Sequence, residues 1–559
     1  MYTGTYMNTR ENKLYVAERV NGQRIITSYP LILEYYVPDS NGYYMGYDGK
    51  RVRKITCKTF NEFRAHQAKC REEKIPTYEL NFNLTNKVLY QHYNQAETPK
   101  LNISFMDIEV DRKGFEYLTV NQLVEKACCP INAISIYNSW QNTLFTLMLC
   151  PDTLDFDEAQ KICNKFDNTF LFKDEKQLLK GIIALLADAE CATGWNSRFF
   201  DTPYIVRRII NMLGEEEAKQ LCLFGQSPKL REKENKFGAL GITYDIIGKW
   251  FVDYMELYIK HQRGQKESYK LDAIAELELG ERKVEHDESL DDMYRQRYED
   301  FIKYNRQDTM LVKKFEDKLK YIETHNMQAH ETCCSMEDTL GTVAYIDQCF
   351  INEAHNKGLV VNDRDEDKNW RYQDIVPPGA AVPTPVTGLC KYVMSLDMHA
   401  LYPSTCRSLN MSPETIVAQV RIDKTQDFLW KRIKDNDWYK NKAKKIPDWG
   451  AAWGHVWGSI EFQEIMKQSD TMLTLDYESG ESVQATAKEI YDAVFNDNSN
   501  LCISALGTIF RTDVEGLIPH VFAKWDKERS IFKNKKAYYE DLYSGVKIED
   551  EDLLKQLSE

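Results

Sequence analysis

The run ISFMDIEV at residues 103–110 constrains the fold more than any other stretch of this chain. It is apolar, rich in β-branched and aromatic residues, and free of glycine and proline, so it reads as a buried strand. Alternate residues of a strand share a face, so positions 103, 105, 107 and 109 lie together and Asp107 and Glu109 point the same way at its end. A second run, INAISIYN, reads as another buried strand, while DEKQLLKGIIALLADA and YIVRRIINMLG carry apolar residues at helical spacing. Strands alternating with amphipathic helices make the chain from residue 101 onward an α/β domain.

A single long helix is expected to close that domain, DDMYRQRYEDFIKYNRQDTMLVKKFEDKLKYI, whose charged face and recurring Phe, Leu, Val and Tyr need a core on one side. The first hundred residues alternate short runs such as NKLYVAERV and RIITSYPLILEYYV with Gly and Asn turns, which predicts a mostly β domain. A Pro-rich linker, VPPGAAVPTPVTG, marks a boundary before LCKYVMSLDMHALYPST. Trp449, Trp453 and Trp457 have the i, i+4, i+8 spacing of one helix face, but the glycine after each weakens a helix, so packing or a partner contact is expected ahead of base stacking. A basic helix, AKWDKERSIFKNKKAYYEDLY, and an acidic stretch, IEDEDLLKQLSE, follow.

A length of 559 residues accommodates roughly three to four ordinary domains. No apolar run approaches the ~20 residues that cross a bilayer. The first twenty residues lack the basic, apolar and cleavage regions of a secretory signal. The expectation is a cytoplasmic protein with no membrane partner. Its 14 cysteines include no C-x-x-C pair and fit free thiols in a reducing compartment. A formal charge of −14 argues against indiscriminate coating of nucleic acid, yet leaves room for a local basic channel.

Two further acidic motifs follow the first. In ATGWNSRFFDTPYIVRRIINML, Asp201 opens an apolar-periodic helix two residues before Pro203, which is also how a plain N-cap looks. In YNRQD, Tyr304 and Asp308 are i and i+4 on one helix face. Taken singly, these are a capping residue and a surface pair, and a lone D-x-E fits a strand running out into solvent. Together they supply four carboxylates and a phenol. Magnesium favours a few carboxylates plus water and phosphate oxygens, and two such ions activate a water and stabilise the leaving oxygen in phosphodiester cleavage. The set specifies a nuclease.

These segments resemble the three motifs of the DEDD-type 3′→5′ proofreading exonuclease, in its tyrosine-containing branch. Their contexts MDIEV, TGWNSRFFDTPYI and YNRQD resemble family B DNA polymerases, most of all the replicative polymerases of T-even-like bacteriophages. ERVNGQ, CPINAISIYNSW, FKDEKQLL, VDYMELY and SYKLDAIAELELGERKVEHD extend the resemblance over nearly the whole chain. It implies a ribonuclease H-like exonuclease domain with two Mg2+ ions, for which Mn2+ can substitute. Asp107 would bridge both ions, Glu109 and Asp308 would complete the first, Asp201 would serve the second, and Tyr304 would orient the attacking water. It also implies a β-hairpin at EKENKFGALGITYD that helps part primer from template; Gly238 and Gly241 permit the turn, and an ordinary loop fits equally well.

KYVMSLDMHALYPST resembles the family B palm motif. By that resemblance Asp397 would bind both polymerase metals, aided by the carbonyl of Met398. The turn at Leu401 would hold the incoming triphosphate, and Tyr402 would pack under the sugar and exclude a 2′-hydroxyl. Ala400 stands where the family usually has Ser, which removes one hydroxyl contact and keeps the N–H. GLIPHVFAKWDKERSIFKNKK resembles the first fingers helix, where Arg529 and Lys533 at i, i+4 would grip the triphosphate tail; a solvated basic face is the alternative. The family's K-x-x-x-N-S-x-Y-G and Y-G-D-T-D-S motifs do not occur in these 559 residues. Asp513 in RTDVEG has no second Asp, and Asp363, Asp365 and Asp367 lack the Gly and final Glu of a calcium loop, so they read as a charged surface loop.

The expectation is therefore a multidomain α+β and α/β chain. It would comprise a mostly β N-terminal domain (1–100), an exonuclease domain (101–325), a return segment of the N-terminal domain (326–370), a partial palm with an insertion (371–512) and the first part of helical fingers (513–559). The expected function is that of the N-terminal subunit of a split DNA-directed DNA polymerase for viral DNA replication in an infected bacterial cell. A second polypeptide would carry the remaining palm, fingers and thumb. Primer–template DNA, deoxynucleoside triphosphates, a sliding clamp and a helicase are the other expected partners. The competing readings are an autonomous single-strand exonuclease with a vestigial palm and a non-catalytic DNA-binding assembly module.

Overall fold

The computed structural model describes residues 1–234, 240–262, 264–281, 289–363, 387–398, 400–420, 467, 470, 472–496, 498–504 and 507–545. Gly238, Asp365, Asp367, the three tryptophans 449, 453 and 457, and the acidic stretch after residue 545 lie outside them. The chain divides into two compact units. The first is Met1–Leu33, Cys57–His66 and Phe82–Cys349, and the second is Glu34–Thr56, Gln67–Asn81 and Phe350–Glu559.

In the first unit, Ile103–Val110 lies inside a mixed six-stranded sheet. The order is Thr169–Phe172, Thr143–Leu149, Ile131–Asn138, Ile103–Val110, Cys191–Gly194, Trp250–Asp253. It pairs antiparallel with Ile131–Asn138 and parallel with Cys191–Gly194. Ile131–Asn138 is buried at every position, as a strand covered on both faces must be. Met106, Ile108 and Val110 face one side, packing with Ile134, Ile136 and the helices Glu175–Leu186 and Asp201–Leu213 through Leu178, Ile182, Ile205 and Ile209. Phe105 faces the other side, in a cluster with Leu311, Val312 and Phe315 of helix Tyr298–Leu319. The alternation within one strand thus produces three layers, and it turns Asp107 and Glu109 toward the second helical layer.

The long closing helix is a correction to the sequence reading, because the structure breaks it into Leu290–Gln296, Tyr298–Leu319 and Tyr321–Thr332. Arg297 leaves helical geometry at φ −132°, ψ 54°, and Lys320 is left-handed at φ 56°. Local hydrogen bonds favour the second break: the Lys320 N–H bonds Glu316 O, while the Glu316 carboxylate accepts the N–H groups of Ile322 and Glu323 at 3.1 and 3.0 Å. This unit also holds the antiparallel sheet Tyr2–Asn8, Lys13–Val20, Gln23–Pro30. Its second turn is Asn21-Gly22, both with positive φ (50° and 78°), the chemistry that a two-residue hairpin turn requires.

The second unit holds a four-stranded sheet in the order Leu359–Val360, Tyr44–Gly46, Arg51–Thr56, Glu34–Pro38. It also holds an antiparallel five-stranded sheet, in the order Ser482–Thr486, Met472–Tyr477, Ile416–Val420, Thr508–Arg511, Leu501–Ile503. Helix Ala487–Val494 opens with a Thr486–Glu489 capping box and buries Ala487, Ile490 and Val494 against Val420, Leu473 and Leu475. Helix Leu517–Gly545 follows, and its side chains are exposed on every side from Lys527 to Leu542. No helix among the described residues is long and apolar enough to cross a membrane.

Candidate metal centre

Strand Ile103–Val110 and helix Tyr298–Leu319 bring three carboxylates together. Asp107, Glu109 and Asp308 each place an oxygen within 4.8 Å of the others. Asp308 is buried, and Asp107 and Glu109 are half-buried. The helix is anchored beside the strand by Asn305, whose amide donates at 3.0 Å both to the Asp107 carbonyl and to Asp107 Oδ2. One turn on, the Thr309 hydroxyl donates to Ser135 O on the neighbouring strand at 3.2 Å.

Asp201 arrives from the opposite helical layer. Strand Cys191–Gly194 must pass very close to Ile103–Val110, because a Cβ on Gly194 would lie 2.4 Å from Met106 O; only glycine fits there. The loop that follows is held by Asp253, which is fully buried and accepts the N–H groups of Asn196 and Arg198 at 2.9 and 3.4 Å. Arg198 is also paired with Glu256 at 2.7 Å. This loop delivers Phe200 to the N-cap position, with no side-chain cap, and Asp201 to the first turn of its helix. The Asp201 carboxylate reaches across instead, and its Oδ1 accepts the Ile108 N–H at 3.0 Å. The plain N-cap alternative is thereby removed: the side chain serves the strand that carries Asp107 and Glu109.

Tyr304 sits a helical turn before Asp308, is buried, and hydrogen-bonds it. Burial pushes its phenol well above the ordinary range, and the charges of Asp308, Glu109 and Asp107 add to the rise. Burial likewise holds the Asp201 carboxyl above the usual carboxylate range; the neighbouring Asp308 adds to this and the Ile108 N–H opposes it. At an effective dielectric near 20, two unit charges 4.8 Å apart repel by about 3 kcal/mol. Three carboxylates at this spacing therefore call for a compensating cation or for bound protons. An all-oxygen donor set with room for water suits a hard divalent ion such as Mg2+ or Mn2+.

Sequence reasoning missed Asn305 and Asp253. Asn305 stands inside YNRQD, and its signal was an amide one residue from a face already marked by Tyr304 and Asp308. Asp253 leads VDYMELY, where an Asp before a helix reads as an N-cap; it does cap, accepting Met255 N–H at 2.9 Å, and it ties down the distant loop as well.

The residues assigned to polymerase chemistry are placed differently. Residues 387–398 form no strand and are exposed, with Asp397 among the exposed apolar groups Leu396, Met398 and Tyr402, which are 88%, 70% and 79% accessible. Ala400, in the left-handed region at φ 45°, then precedes helix Leu401–Ser408. Arg407 on that helix pairs with Asp526 at 3.0 Å, joining it to helix Leu517–Gly545, on which Arg529 and Lys533 are exposed. Among the described residues, no cluster of His, Cys, Asp and Glu able to hold a metal includes Asp397. Asp513 is engaged by Arg511 through two hydrogen bonds of 2.7 and 2.6 Å. Asp363 accepts from Thr77 and from the Leu80 and Asn81 N–H groups at 2.7 to 2.9 Å, so it fastens a turn within the second unit.

Comparison with known proteins bears on both regions. Residues 52–274 match the family model described as DNA polymerase family B, exonuclease domain, and residues 335–444 match that described as DNA polymerase family B. Asp107, Glu109 and Asp201 fall in the first range, and Asp397, Met398, Leu401 and Tyr402 in the second; Tyr304, Asp308, Arg529 and Lys533 fall in neither. A DNA-directed DNA polymerase of Escherichia phage RB69 is 29% identical over 261 residues, covering 46% of this chain and 28% of the relative. The DNA-directed DNA polymerase of Enterobacteria phage T4 is 26% identical with the same shares, 46% and 28%. DNA polymerase 1 of Sulfolobus acidocaldarius is 23% identical, over 74% of this chain and 47% of its own length. The matches thus span between about a quarter and a half of these relatives. Together the two family matches take in more than half of the chain, which belongs to the family B DNA polymerases and carries exonuclease and polymerase regions of that family.

Proposed function

We propose that the acidic cluster is a two-metal 3′→5′ proofreading exonuclease site in a ribonuclease H-like domain, acting on the 3′ end of DNA. The observation that carries this reading is the convergence of the Asp107, Glu109 and Asp308 carboxylates within 4.8 Å, with Asp201 hydrogen-bonded to the strand between them. Asp107, Glu109 and Asp308 would hold one divalent ion, and Asp107 with Asp201 a second. Bound Mg2+ supplies an activated water and stabilises the leaving oxygen. Asn305 fixes the carboxylate of Asp107, and Tyr304, kept protonated by burial, holds its hydroxyl at Asp308 to orient the water. The hairpin Lys229–Glu234 with Leu240–Asp245 supports the assignment of a strand-parting element at this segment.

Asp397 would contribute the first carboxylate of a polymerase site that is completed by further polypeptide, in the fullest form of the reading a second chain bringing the remaining palm, fingers and thumb. Two features favour this: the exposed apolar run around Asp397 and the uncovered helix from Lys527 to Leu542 are surfaces that a folded polymerase core would bury. Primer–template DNA, deoxynucleoside triphosphates, a sliding clamp and a helicase are the partners this assigns, in an infected bacterial cell. The test is a primed-DNA assay with Mg2+ and nucleotides, using this chain alone and then with a polypeptide carrying the second palm carboxylate. Degradation alone and extension on complementation are expected. Extension by this chain alone would sink the shared-site reading, and degradation that no such polypeptide converts to extension would leave an autonomous exonuclease.

A further inference from the structure

A second cluster of metal-ligating side chains lies outside the acidic centre, in the first unit. Cys57, Glu62 and His66 each place a ligand atom within 4.8 Å of the others. Their spacing, C-x4-E-x3-H, is not one of the C-x-x-C patterns that announce a metal, and it works only because a helix intervenes. Glu62 and His66 are i and i+4 on helix Phe60–Glu72, so they share a face. Cys57 lies just before that helix, with its backbone held by an N–H bond to Leu33 O at 2.9 Å. The helix start is fixed too: Phe60 N–H donates to Asn12 at 2.7 Å, Lys58 N–H to Glu62 Oε2 at 2.7 Å, and Glu62 N–H to Thr59 at 3.2 Å. Three ligands of different type are therefore presented by a backbone already in place.

The geometry is quantitative. Cys57 Sγ and His66 Nδ1 are 3.5 Å apart. Zinc–sulfur and zinc–nitrogen bonds of about 2.3 and 2.0–2.1 Å, opened to the tetrahedral angle, separate the two ligand atoms by about 3.6 Å. The pair already stands at the edge length of a zinc tetrahedron. One Glu62 oxygen is used by Lys58 N–H, and a carboxylate keeps acceptor capacity beyond that single bond. Cys57 is buried, His66 half-buried and Glu62 exposed, so the sulfur is shielded while an ion can enter from the Glu62 side.

We propose that Cys57, Glu62 and His66 form a tetrahedral site for zinc, with water as the fourth ligand. On binding, the Cys57 thiol loses its proton to solvent and the thiolate and the neutral imidazole Nδ1 turn their lone pairs to the ion; nothing is oxidised or reduced. The site clips Cys57 to the first two turns of the helix that carries Glu62 and His66. It is independent of the nuclease reading.

The test uses the full chain, reduced and stripped of metal, titrated with Co2+ alone and then back-titrated with Zn2+. A near-ultraviolet thiolate-to-cobalt charge-transfer band reports sulfur ligation and is blind to an all-carboxylate site, so failure here and failure of the nuclease reading are distinguishable. The expected result is a band that saturates at one ion per chain, bleaches with Zn2+, vanishes in Cys57→Ser, and forms with at least about ten-fold weaker affinity in His66→Gln and Glu62→Gln. No band in the wild type, or a band of full strength in Cys57→Ser, overturns the proposal. Should Cys57→Ser fail to fold by circular dichroism, the two helix-face variants decide: unchanged Co2+ affinity in both overturns it, and weakened affinity in both upholds it.

Discussion

The backbone N–H of Ile108 donates to Asp201 Oδ1 at 3.0 Å, and Ile108 is the residue between Asp107 and Glu109. A carboxylate from the Asp201–Leu213 helix is thereby locked to the strand that carries the other two, at a fixed distance along it. Asparagine can keep that bond, because its side-chain oxygen is also an acceptor, but it removes the charge. Asp201→Asn is therefore expected to unfold at or above the wild-type urea midpoint, since it removes a charge that burial disfavours, and to degrade 3′ ends slower by on the order of a thousand-fold, about 4 kcal/mol of transition-state stabilisation. Wild-type rates in this variant would show that Asp201 is a structural acceptor and no more.

Asn305 bonds Asp107 at both its carbonyl and its carboxylate. Asn305→Ala is expected to raise the Mg2+ concentration for half-maximal degradation by about 10- to 100-fold, the usual effect of removing an outer partner of a metal ligand. The rate should recover when Mg2+ is raised. A Mg2+ titration of initial rates checks this.

Tyr304 makes the opposite expectation, because its hydroxyl is held at Asp308 while its ring is buried in the core. Tyr304→Phe keeps the ring and is expected to lower the degradation rate by about 10²-fold at saturating Mg2+, with the Mg2+ requirement unchanged. A shifted Mg2+ requirement with an unchanged maximal rate would assign the phenol to metal binding instead.

His325 supplies a pH signature of the fold. It is fully buried, with Nε2 2.9 Å from His261 Nε2 and Nδ1 2.7 Å from the Thr339 hydroxyl. Burial, aided by Lys260 and His261, lowers its pKa to about 3. A base whose folded pKa lies below its unfolded value of about 6.5 leaves stability intact above that value and loses it as pH falls toward the folded pKa. Wild-type stability is expected to drop by about 2 kcal/mol from this group between pH 6.5 and 4.5. His325→Asn, which can retain the Thr339 contact, should flatten the slope of urea midpoint against pH over that interval.

Much of the acidic centre was legible because its parts lie on regular elements. ISFMDIEV states its strand and its faces by alternation alone, and YNRQD states a helix face by its i, i+4 spacing. Asp201 was legible as a helix opener but ambiguous in role, since a first-turn Asp caps or reaches elsewhere depending on where the loop enters. That entry is set by the Gly194 approach to Met106 and by Asp253, from elements distant in sequence. The breaks at Arg297 and Lys320 were hidden because apolar periodicity runs on through them, and neither residue is a glycine or a proline. The sheet that includes Met472–Tyr477 and Ser482–Thr486 was overlooked because threonines and charges interrupt its apolar run; its hairpin is marked mainly by Gly480 at φ 89°. The Cys57 cluster escaped because its ligands straddle a loop and a helix.

The proposed exonuclease reading assigns hydrolysis of DNA from its 3′ end to Asp107, Glu109, Asp201 and Asp308. Its most direct test is the rate at which the purified chain shortens a 3′-ended single strand in Mg2+, beside the Asp107→Ala variant. The expected result is stepwise shortening that stops when Mg2+ is chelated and slows by on the order of a thousand-fold in the variant. An inert wild-type chain, or equal rates in the two proteins, would contradict it.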